Sequence, residues 1–140
     1  MLAAPTPILL GMDSRSRRLR LAQLIDLHPD VRLLGEGPAD LSCLRAAIAR
    51  RPDVLVIAAA AGRAPAAARL IARVRRSSPS TAVLALIAAE DRPISLLAGE
   101  LSADRFLPEA AALDEVLRAV LDIARARQAQ QIPPRRRRDG

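Results

Sequence analysis

Short apolar runs alternate with longer amphipathic segments along most of this 140-residue chain. A short apolar run bounded by Gly, Pro, Asp or Ser is typical of a strand, so the pattern predicts five β-strands. The third and fourth runs are apolar throughout, which indicates strands that are buried on both faces near the centre of a sheet. The five runs cover residues 8–12, 31–35, 54–57, 82–87 and 105–107.

The segments between these runs repeat their apolar residues at helical spacing. The first predicted helix follows Asp13 and Ser14 and ends before Pro29. The second begins after Asp40, which is a good N-cap residue, and runs through Arg51. The buried faces of these two helices are predicted to include Leu19, Leu21, Leu24, Ile25 and Leu27 in the first, and Leu41, Leu44 and Ile48 in the second.

Three later helices complete the pattern. One follows Pro65 and ends near Arg76, a weak one covers residues 92–101, and a final one covers residues 113–127. Strands that alternate with helices indicate βα units, a parallel sheet and right-handed crossovers. The predicted fold class is therefore α/β, a flavodoxin-like, doubly wound five-stranded parallel sheet of order 2-1-3-4-5 with helices on both faces.

The domain plan is simple. We predict an N-terminal extension over residues 1–6, a single domain over residues 7–127, and a disordered Pro/Arg-rich tail over residues 128–140. The first residues lack a basic segment, and no apolar stretch reaches the length of a membrane span. Cys43 is the only cysteine, which excludes an internal disulfide and fits a reducing compartment. The expected location is cytoplasmic, with no membrane contact.

The charged residues limit the chemistry that this chain can perform. All 22 Lys and Arg positions are Arg, and the formal net charge is +7. A mechanism that needs a lysine ammonium is therefore excluded, and so is the Walker phosphate-binding motif. Ligands of an open parallel sheet lie beyond the carboxyl ends of its strands. The third strand runs into alanines there, and residues 54–89 contain no Asp, Glu or His.

Two segments carry a resemblance to a known family. Residues 24–36 read LIDLHPDVRLLGE, and residues 44–56 read LRAAIARRPDVLV. Together with the order and spacing of the elements over residues 7–127, they resemble the CheY-like receiver domains of bacterial response regulators, particularly those attached to LuxR/NarL-type DNA-binding domains. The resemblance implies a role in two-component phosphorelay signal transduction and transcription regulation.

The same resemblance implies that the phosphorylation residues are replaced. Receivers hold a divalent metal with two acids after the first strand, where this chain has Met12 and Asp13. Ala58 stands at the phosphoacceptor Asp position, Ile87 at the Ser or Thr position, and Glu109 at the Lys position. A methyl group cannot accept phosphate, and one carboxylate is a poor Mg²⁺ site. We expect a degenerate pseudo-receiver with no enzyme activity, no metal and no cofactor.

Several other residues have both a structural and a functional interpretation. Asp13 is predicted to cap the first helix together with Ser14, and a vestigial metal ligand is the alternative. Phe106 matches the aromatic position that switches in receivers, but as the only aromatic residue it is expected to be fixed core. His28 is expected to end the first helix, and Cys43 to pack as a small apolar residue.

Function is therefore expected on the outer faces, through phosphorylation-independent binding of another protein. A homodimer through the face made by the fourth predicted helix, the fifth strand and the final helix is one form of such binding. An acidic partner would suit the arginines of the first and final helices, which are Arg15, Arg17, Arg18, Arg20, Arg118, Arg125 and Arg127.

Two alternatives stay open at this point. A nucleic-acid-associated regulator would use the basic tail, where phosphate neutralisation gives salt-dependent affinity. A small-molecule sensor would use an apolar, alanine-lined pocket beside Ala58 and Ile87. The basic tail residues are Arg135, Arg136, Arg137 and Arg138.

Overall fold

The structure is a computed structural model that describes residues 4–91 and 103–131. Five parallel strands form one sheet in the order β2-β1-β3-β4-β5, which confirms the predicted fold class and topology. The strands are β1 (Thr6–Met12), β2 (Val31–Gly37), β3 (Val54–Ala58), β4 (Ala82–Ile87) and β5 (Arg105–Pro108). The described helices are α1 (Arg15–Asp26), α2 (Leu41–Arg50), α3 (Ala64–Ser77) and α4 (Leu113–Gln131), with a short 3₁₀ turn at Ala89–Asp91.

The sheet is organised around β3, which has a strand on each side. Residues 8–12 of β1 pair in register with residues 54–58, and these pair in turn with residues 82–86 of β4. Every residue of β3 is buried. A wholly apolar strand requires cover on both faces, and the helices provide it here.

Successive strand residues point to opposite faces and so divide the core into two clusters. The first cluster lies between the sheet and helices α1 and α4, and the second lies between the sheet and helices α2 and α3. From β3, Val54, Val56 and Ala58 enter the first cluster, whereas Leu55 and Ile57 enter the second. Strand periodicity alone therefore assigns each β3 side chain to its layer.

Helix α2 approaches β1 closely at Gly11. A Cβ atom on Gly11 would lie 2.5 Å from Sγ of Cys43 and 3.3 Å from Cδ1 of Ile57. Any larger residue at position 11 would push α2 away from the sheet. Cys43 is 6% exposed and packs in the second cluster, which confirms its predicted role as a small apolar residue.

The buried faces of α1 and α2 differ from the prediction. The sheet contacts small residues together with their large neighbours, namely Ala22 beside Leu21 in α1 and Cys43 beside Leu44 in α2. Small residues let a helix axis approach the sheet, so the contact stripe is narrow and excludes side chains further round the helix. The predicted core residues that are exposed are Leu19, Leu41 and Ile48, together with Leu27, which lies just past the end of α1 as its C-cap.

Strand β2 is longer than predicted. It continues through Gly37, although residues 35–38 had the composition of a turn. The pairing of β1 with β2 shifts between Ile8 and Leu9, so the strand stays paired after the irregularity. A bulge of this kind depends on the partner strand and is not encoded by β2 alone.

Helix α4 also extends past its predicted end, to Gln131. The side chain of Gln128 donates a hydrogen bond to Oγ1 of Thr6 at 2.9 Å, which ties the helix to the start of β1. The prediction of a disordered tail from residue 128 is therefore wrong for residues 128–131. The predicted helix over residues 92–101 and the rest of the tail lie outside the described residues. Within the described residues, no helix is both long enough and apolar enough to cross a membrane.

We expect Leu55→Ala to destabilise the protein by about 3 kcal/mol, because Leu55 is fully buried and its removal leaves a cavity in the second cluster. Leu27→Ala is the matched control, since Leu27 is 82% exposed and should change stability by less than about 0.5 kcal/mol. Urea unfolding of both variants measures the difference. Equal losses would contradict the central position of β3.

Candidate functional site

The carboxyl ends of the strands meet along one edge of the sheet. Met12 ends β1 and pairs with Ala58 at the end of β3. Ile87 ends β4 and pairs with Pro108 of β5, and the backbone N–H of Glu109 donates to the carbonyl of Ile87 at 2.8 Å. The structure thus brings to one edge the positions that the sequence analysis compared with the phosphorylation site of receivers.

The centre of this edge is apolar. Ala58 is 5% exposed and Met12 is 1% exposed, while Ile87 packs partly against the second cluster. A methyl group and a thioether supply neither a nucleophilic oxygen nor an oxygen ligand for a hard cation. The burial of Ala58 also does not favour an open, alanine-lined pocket for a small molecule.

The carboxylate of Asp13 joins three parts of the chain beside this apolar centre. Its Oδ1 accepts a hydrogen bond from the backbone N–H of Ala39 at 3.0 Å. Its Oδ2 accepts from the backbone N–H of Ala60 at 2.7 Å and from the guanidinium of Arg63. The carboxylate therefore ties the end of β1 to the β2–α2 loop and to the β3–α3 loop.

The predicted capping role of Asp13 is corrected by these contacts. Ser14 is the N-cap of α1, and its Oγ accepts from the backbone N–H of Arg17 at 3.5 Å. The Asp13 carboxylate is committed to the two loops instead, where it meets backbone donors and a cation. A carboxylate that lies at a helix start in the sequence can thus serve a distant loop in the fold.

Arg63 is a site residue that the sequence analysis did not single out. It occupies the N-cap position of α3 without capping the helix, and its guanidinium donates to Asp13 and to the carbonyl of Ala39 at 3.4 Å. A cation at a helix N-terminus is unfavourable against the helix dipole, and the Asp13 carboxylate offsets this. The available signal was an arginine directly before Ala64 and Pro65, where Ser, Thr, Asp or Asn is the usual cap.

Asp91 holds the same loop from the other side. It lies in the 3₁₀ turn after β4, is 7% exposed, and accepts a hydrogen bond through Oδ2 from the backbone N–H of Gly62 at 2.9 Å. Gly62 has a φ of 86°, a conformation that favours glycine. The β3–α3 loop is therefore held between two carboxylates, one from the residue after β1 and one from the turn after β4, which the sequence did not predict.

The environment of Asp13 lowers its pKa. Burial alone would raise the pKa of this carboxyl, but the backbone N–H groups of Ala60 and Ala39 and the guanidinium of Arg63 outweigh burial. The pKa of Asp13 therefore lies below its ordinary value of 3.8. The residue is ionised at neutral pH and remains so well into the acid range.

The site does not fit the divalent metal that a receiver-like fold implies. Mg²⁺ prefers several oxygen ligands, usually carboxylates and a substrate phosphate. Both oxygens of Asp13 are used by internal donors, and the side chain of Met12 has no oxygen. Across residues 4–91 and 103–131, no cluster of three or more His, Cys, Asp or Glu residues could hold a metal. The Arg63 guanidinium is the cation that neutralises Asp13.

Three other candidate residues make contacts that favour a structural role. Burial, followed by the nearby Asp40 carboxylate, raises the pKa of the Cys43 thiol to about 12, so it is not a reactive thiolate at neutral pH. Nδ1 of His28 accepts from the backbone N–H of Asp30 at 3.2 Å, just beyond α1. Phe106 is partly buried against the second cluster and pairs through its backbone with Ala85.

Two arginines predicted for partner binding on α1 are engaged inside the fold. Arg17 donates to the carbonyl of Ala111 at 2.7 Å. Arg18 donates to the carbonyl of Met12 at 2.7 Å and forms an ion pair with Glu36. Both are half-buried, because the β5–α4 loop and the end of β2 pack against them. Their guanidinium groups therefore serve contacts within the fold.

The other arginines that were predicted to bind a partner differ in how exposed they are. Arg15 and Arg20 of α1 and Arg118 of α4 are exposed. Arg125 is exposed and lies 3.8 Å from the carboxylate of Asp30, while Arg127 is partly buried. The tail arginines at 135–138 lie outside the described residues.

Comparisons with known proteins bear on the fold. No family model matches this chain, and no curated protein sequence matches it. Among solved structures, the signal receiver domain of a NarL response regulator from Mycobacterium tuberculosis superposes with a TM-score of 0.74 at 25% identity. That match covers 88% of this chain and 98% of the NarL domain.

Two further receiver structures are similar at lower identity. The REC domain of the response regulator AraT from Geobacillus stearothermophilus has a TM-score of 0.73 at 18% identity, covering 94% of this chain and 99% of that domain. The receiver domain of a Luxo repressor protein from Vibrio parahaemolyticus has a TM-score of 0.73 at 12% identity, covering 90% and 95%. This chain therefore has the fold of response regulator receiver domains.

We expect Asp13→Ala to destabilise the protein by about 2 kcal/mol, because it leaves the N–H groups of Ala39 and Ala60 without an acceptor and Arg63 without its carboxylate. Asp122→Ala is the matched control, since Asp122 pairs with Arg105 at 3.5 Å and is 52% exposed. An exposed pair of this kind contributes less than about 1 kcal/mol. Urea unfolding at neutral pH measures both changes, and equal losses would show that Asp13 does not hold the loops.

The stability difference between the native chain and Asp13→Ala should depend on pH. Because folding lowers the pKa of Asp13 from 3.8, its ionised form stabilises the protein above that value. This stabilisation is lost as the pH falls through the lower folded-state pKa. Urea unfolding from neutral to strongly acidic pH should show the two proteins converging. A difference that is constant or grows in acid would contradict the assigned contacts.

Proposed function

We propose that this chain is a receiver-like module of bacterial response-regulator signalling that works without phosphorylation, by binding another protein. The observation that carries the proposal is Ala58 at the carboxyl end of β3. Its backbone pairs with Met12 on one side and Leu86 on the other, and its methyl group is almost fully buried. In the resembling receivers this position holds the aspartate that accepts the phosphoryl group.

The residues around Ala58 support the loss of phosphoryl chemistry. Phosphoryl transfer needs a nucleophile, and it needs positive charge positioned against the transferring group. Ile87 offers no hydroxyl, and Glu109 has the wrong charge to attract a phosphoryl group. Arg63 does bring positive charge to this edge, but it is paired with Asp13. An intact nucleophile and metal site would both have to be rebuilt to restore the reaction.

The contacts of the edge suggest what has taken the place of the phosphorylation switch. Asp13 with Arg63, and Asp91 with Gly62, join the loops after β1, β3 and β4 through groups of the chain itself. A metal ion or a phosphoryl group is not needed to order these loops. We therefore propose that the module presents one fixed set of outer faces to its partner.

Two outer faces carry exposed arginines that an acidic protein surface would suit. On α1 these are Arg15 and Arg20, and on α4 they are Arg118 and Arg125. The other arginines of α1 serve the fold, so a partner at α1 would meet a smaller basic surface than the sequence suggested. Association of two copies through the β5 and α4 side is an alternative form of the same function.

Incubation of the full chain with acetyl phosphate and Mg²⁺ should give no covalent labelling, because the phosphoacceptor position holds a methyl group. Intact-mass spectrometry is the appropriate measurement, since the chain has neither Trp nor Tyr for fluorescence. A receiver domain that retains its phosphoacceptor aspartate serves as the positive control under the same conditions.

Two results would overturn this proposal. One is stoichiometric labelling of the chain by acetyl phosphate. The other is a change in its amide NMR spectrum that requires both beryllofluoride and Mg²⁺ and is abolished by Asp13→Ala, because that change would demonstrate a working metal and phosphoryl site.

A further inference from the structure

A groove of about 300 Å³ lies between α2 and α3, away from the faces of α1 and α4 discussed above. It begins at the N-terminus of α2, at Asp40 and Leu41, and follows the exposed side of α3. We call this the α2–α3 groove. Its volume is at the lower end of the range for small-molecule pockets, which suits one or two inserted side chains.

Two arginines give the α2–α3 groove a positive rim. Arg69 and Arg73 lie one turn apart on α3, whereas Arg63 at the start of that helix is paired with Asp13. Arg69 and Arg73 are exposed and form no ion pair or side-chain hydrogen bond with any described residue. Elsewhere on α3, Arg75 makes a bidentate ion pair with Asp104 at 3.0 and 3.2 Å. The two groove arginines are thus available to an external carboxylate.

Asp40 is the acid that lines this groove, and it is already committed. Its Oδ1 accepts from the backbone N–H groups of Ser42 at 2.9 Å and Cys43 at 3.4 Å, as the N-cap of α2. Its charge is therefore directed at the helix start and does not pair with Arg69 or Arg73. The rim keeps a net positive character.

The floor of the α2–α3 groove is apolar. Leu41 is 57% exposed at one end, although it was predicted to be buried, and Leu70 with neighbouring alanines lines the base. A leucine left in water next to a concave surface is stabilised when another apolar side chain covers it. The basic rim and the apolar floor together indicate a partner that carries both acidic and apolar side chains.

We infer that the α2–α3 groove docks an acidic protein segment that inserts an apolar side chain against Leu41 and places its carboxylates on Arg69 and Arg73. This inference rests on the proposed function, because it assigns a surface and a partner chemistry to the same protein-binding module. It adds a site on the opposite side of the sheet from α1 and α4.

The same features favour a peptide over a nucleic acid. A phosphate backbone is recognised mainly by arrays of cations along a groove, whereas this groove combines a short cationic rim with an aliphatic floor and the carboxylate of Asp40. No aromatic side chain lines it for base stacking. An acidic segment with one apolar anchor satisfies both parts of the surface.

The test uses the full chain and a short synthetic peptide of alternating glutamate and leucine. Fluorescence anisotropy of the labelled peptide should show saturable binding with a Kd below about 1 mM. Amide NMR of the isotope-labelled chain should show shifts at Leu41 and Leu70. Arg69→Glu combined with Arg73→Glu should weaken binding about tenfold, because two charge contacts become repulsive.

Arg45→Glu combined with Arg76→Glu is the matched control, since it changes the net charge equally on exposed helical residues that do not line the groove. It should leave peptide binding within about twofold of the native value. Circular dichroism should show that both double variants keep the native fold, because the four side chains are exposed. The peptide with glutamine in place of every glutamate should bind at least tenfold more weakly, as about 1.4 kcal/mol of charge contact is lost.

Several outcomes overturn the inference. These are no saturable peptide binding, equal losses in the two double variants, equal affinity for the glutamine peptide, or tighter binding of a single-stranded oligonucleotide that shifts the same amides. NMR shifts confined to α1 or α4 would rule out the α2–α3 groove as the docking site but would leave the proposed function in place. Labelling by acetyl phosphate would contradict the proposed function but would not bear on peptide binding at the groove, because the labelled site would lie at the sheet edge.

Discussion

The structure depends on the burial of β3, which has a strand on each side and a layer of helices on each face. This strand pairs with β1 and β4 in continuous register, and its residues alternate between the two core clusters. Since burial of aliphatic side chains is the main stabilising term in a core that contains one aromatic residue, the two helical layers are held together through this strand. Its carboxyl end at Ala58 then fixes where the loops of the candidate site must lie.

The loops at that end are joined by ionic and hydrogen-bonded contacts within the chain. Asp13 accepts from Ala39, Ala60 and Arg63, so one carboxylate connects the regions that follow β1, β2 and β3. A carboxylate paired in this way has little capacity left for a divalent cation. The chain thus has the fold of receiver domains, and the polar groups of its sheet edge serve to hold the loops together.

The arginines illustrate how the fold divides one residue type between two roles. Arg17, Arg18, Arg63 and Arg75 reach carbonyl oxygens or carboxylates of the protein, whereas Arg69 and Arg73 project from α3 beside the exposed Leu41. The first group stabilises the connections between elements. The second group, together with the apolar floor of the α2–α3 groove, provides a surface that no contact within the described fold explains.

The sequence by itself determined the five strands, the inner positions of β3 and β4 and the apolar residues at their carboxyl ends, because these follow from local apolar runs and from residue identity at positions such as Ala58 and Ile87. It did not determine which faces of α1 and α2 are buried, since small residues such as Ala22 and Cys43 set the contact stripe only when the helix meets the sheet.

The partners of Asp13 were decided by the tertiary structure alone. Arg63 is 50 residues away along the chain and Ala39 is 26 residues away, so no local spacing connects them. The same holds for Asp91 and Gly62, which meet because β3 and β4 are neighbours and their carboxyl ends share an edge. Local composition can show which residue types lie at the sheet edge, but only the packing of the loops shows which groups they contact.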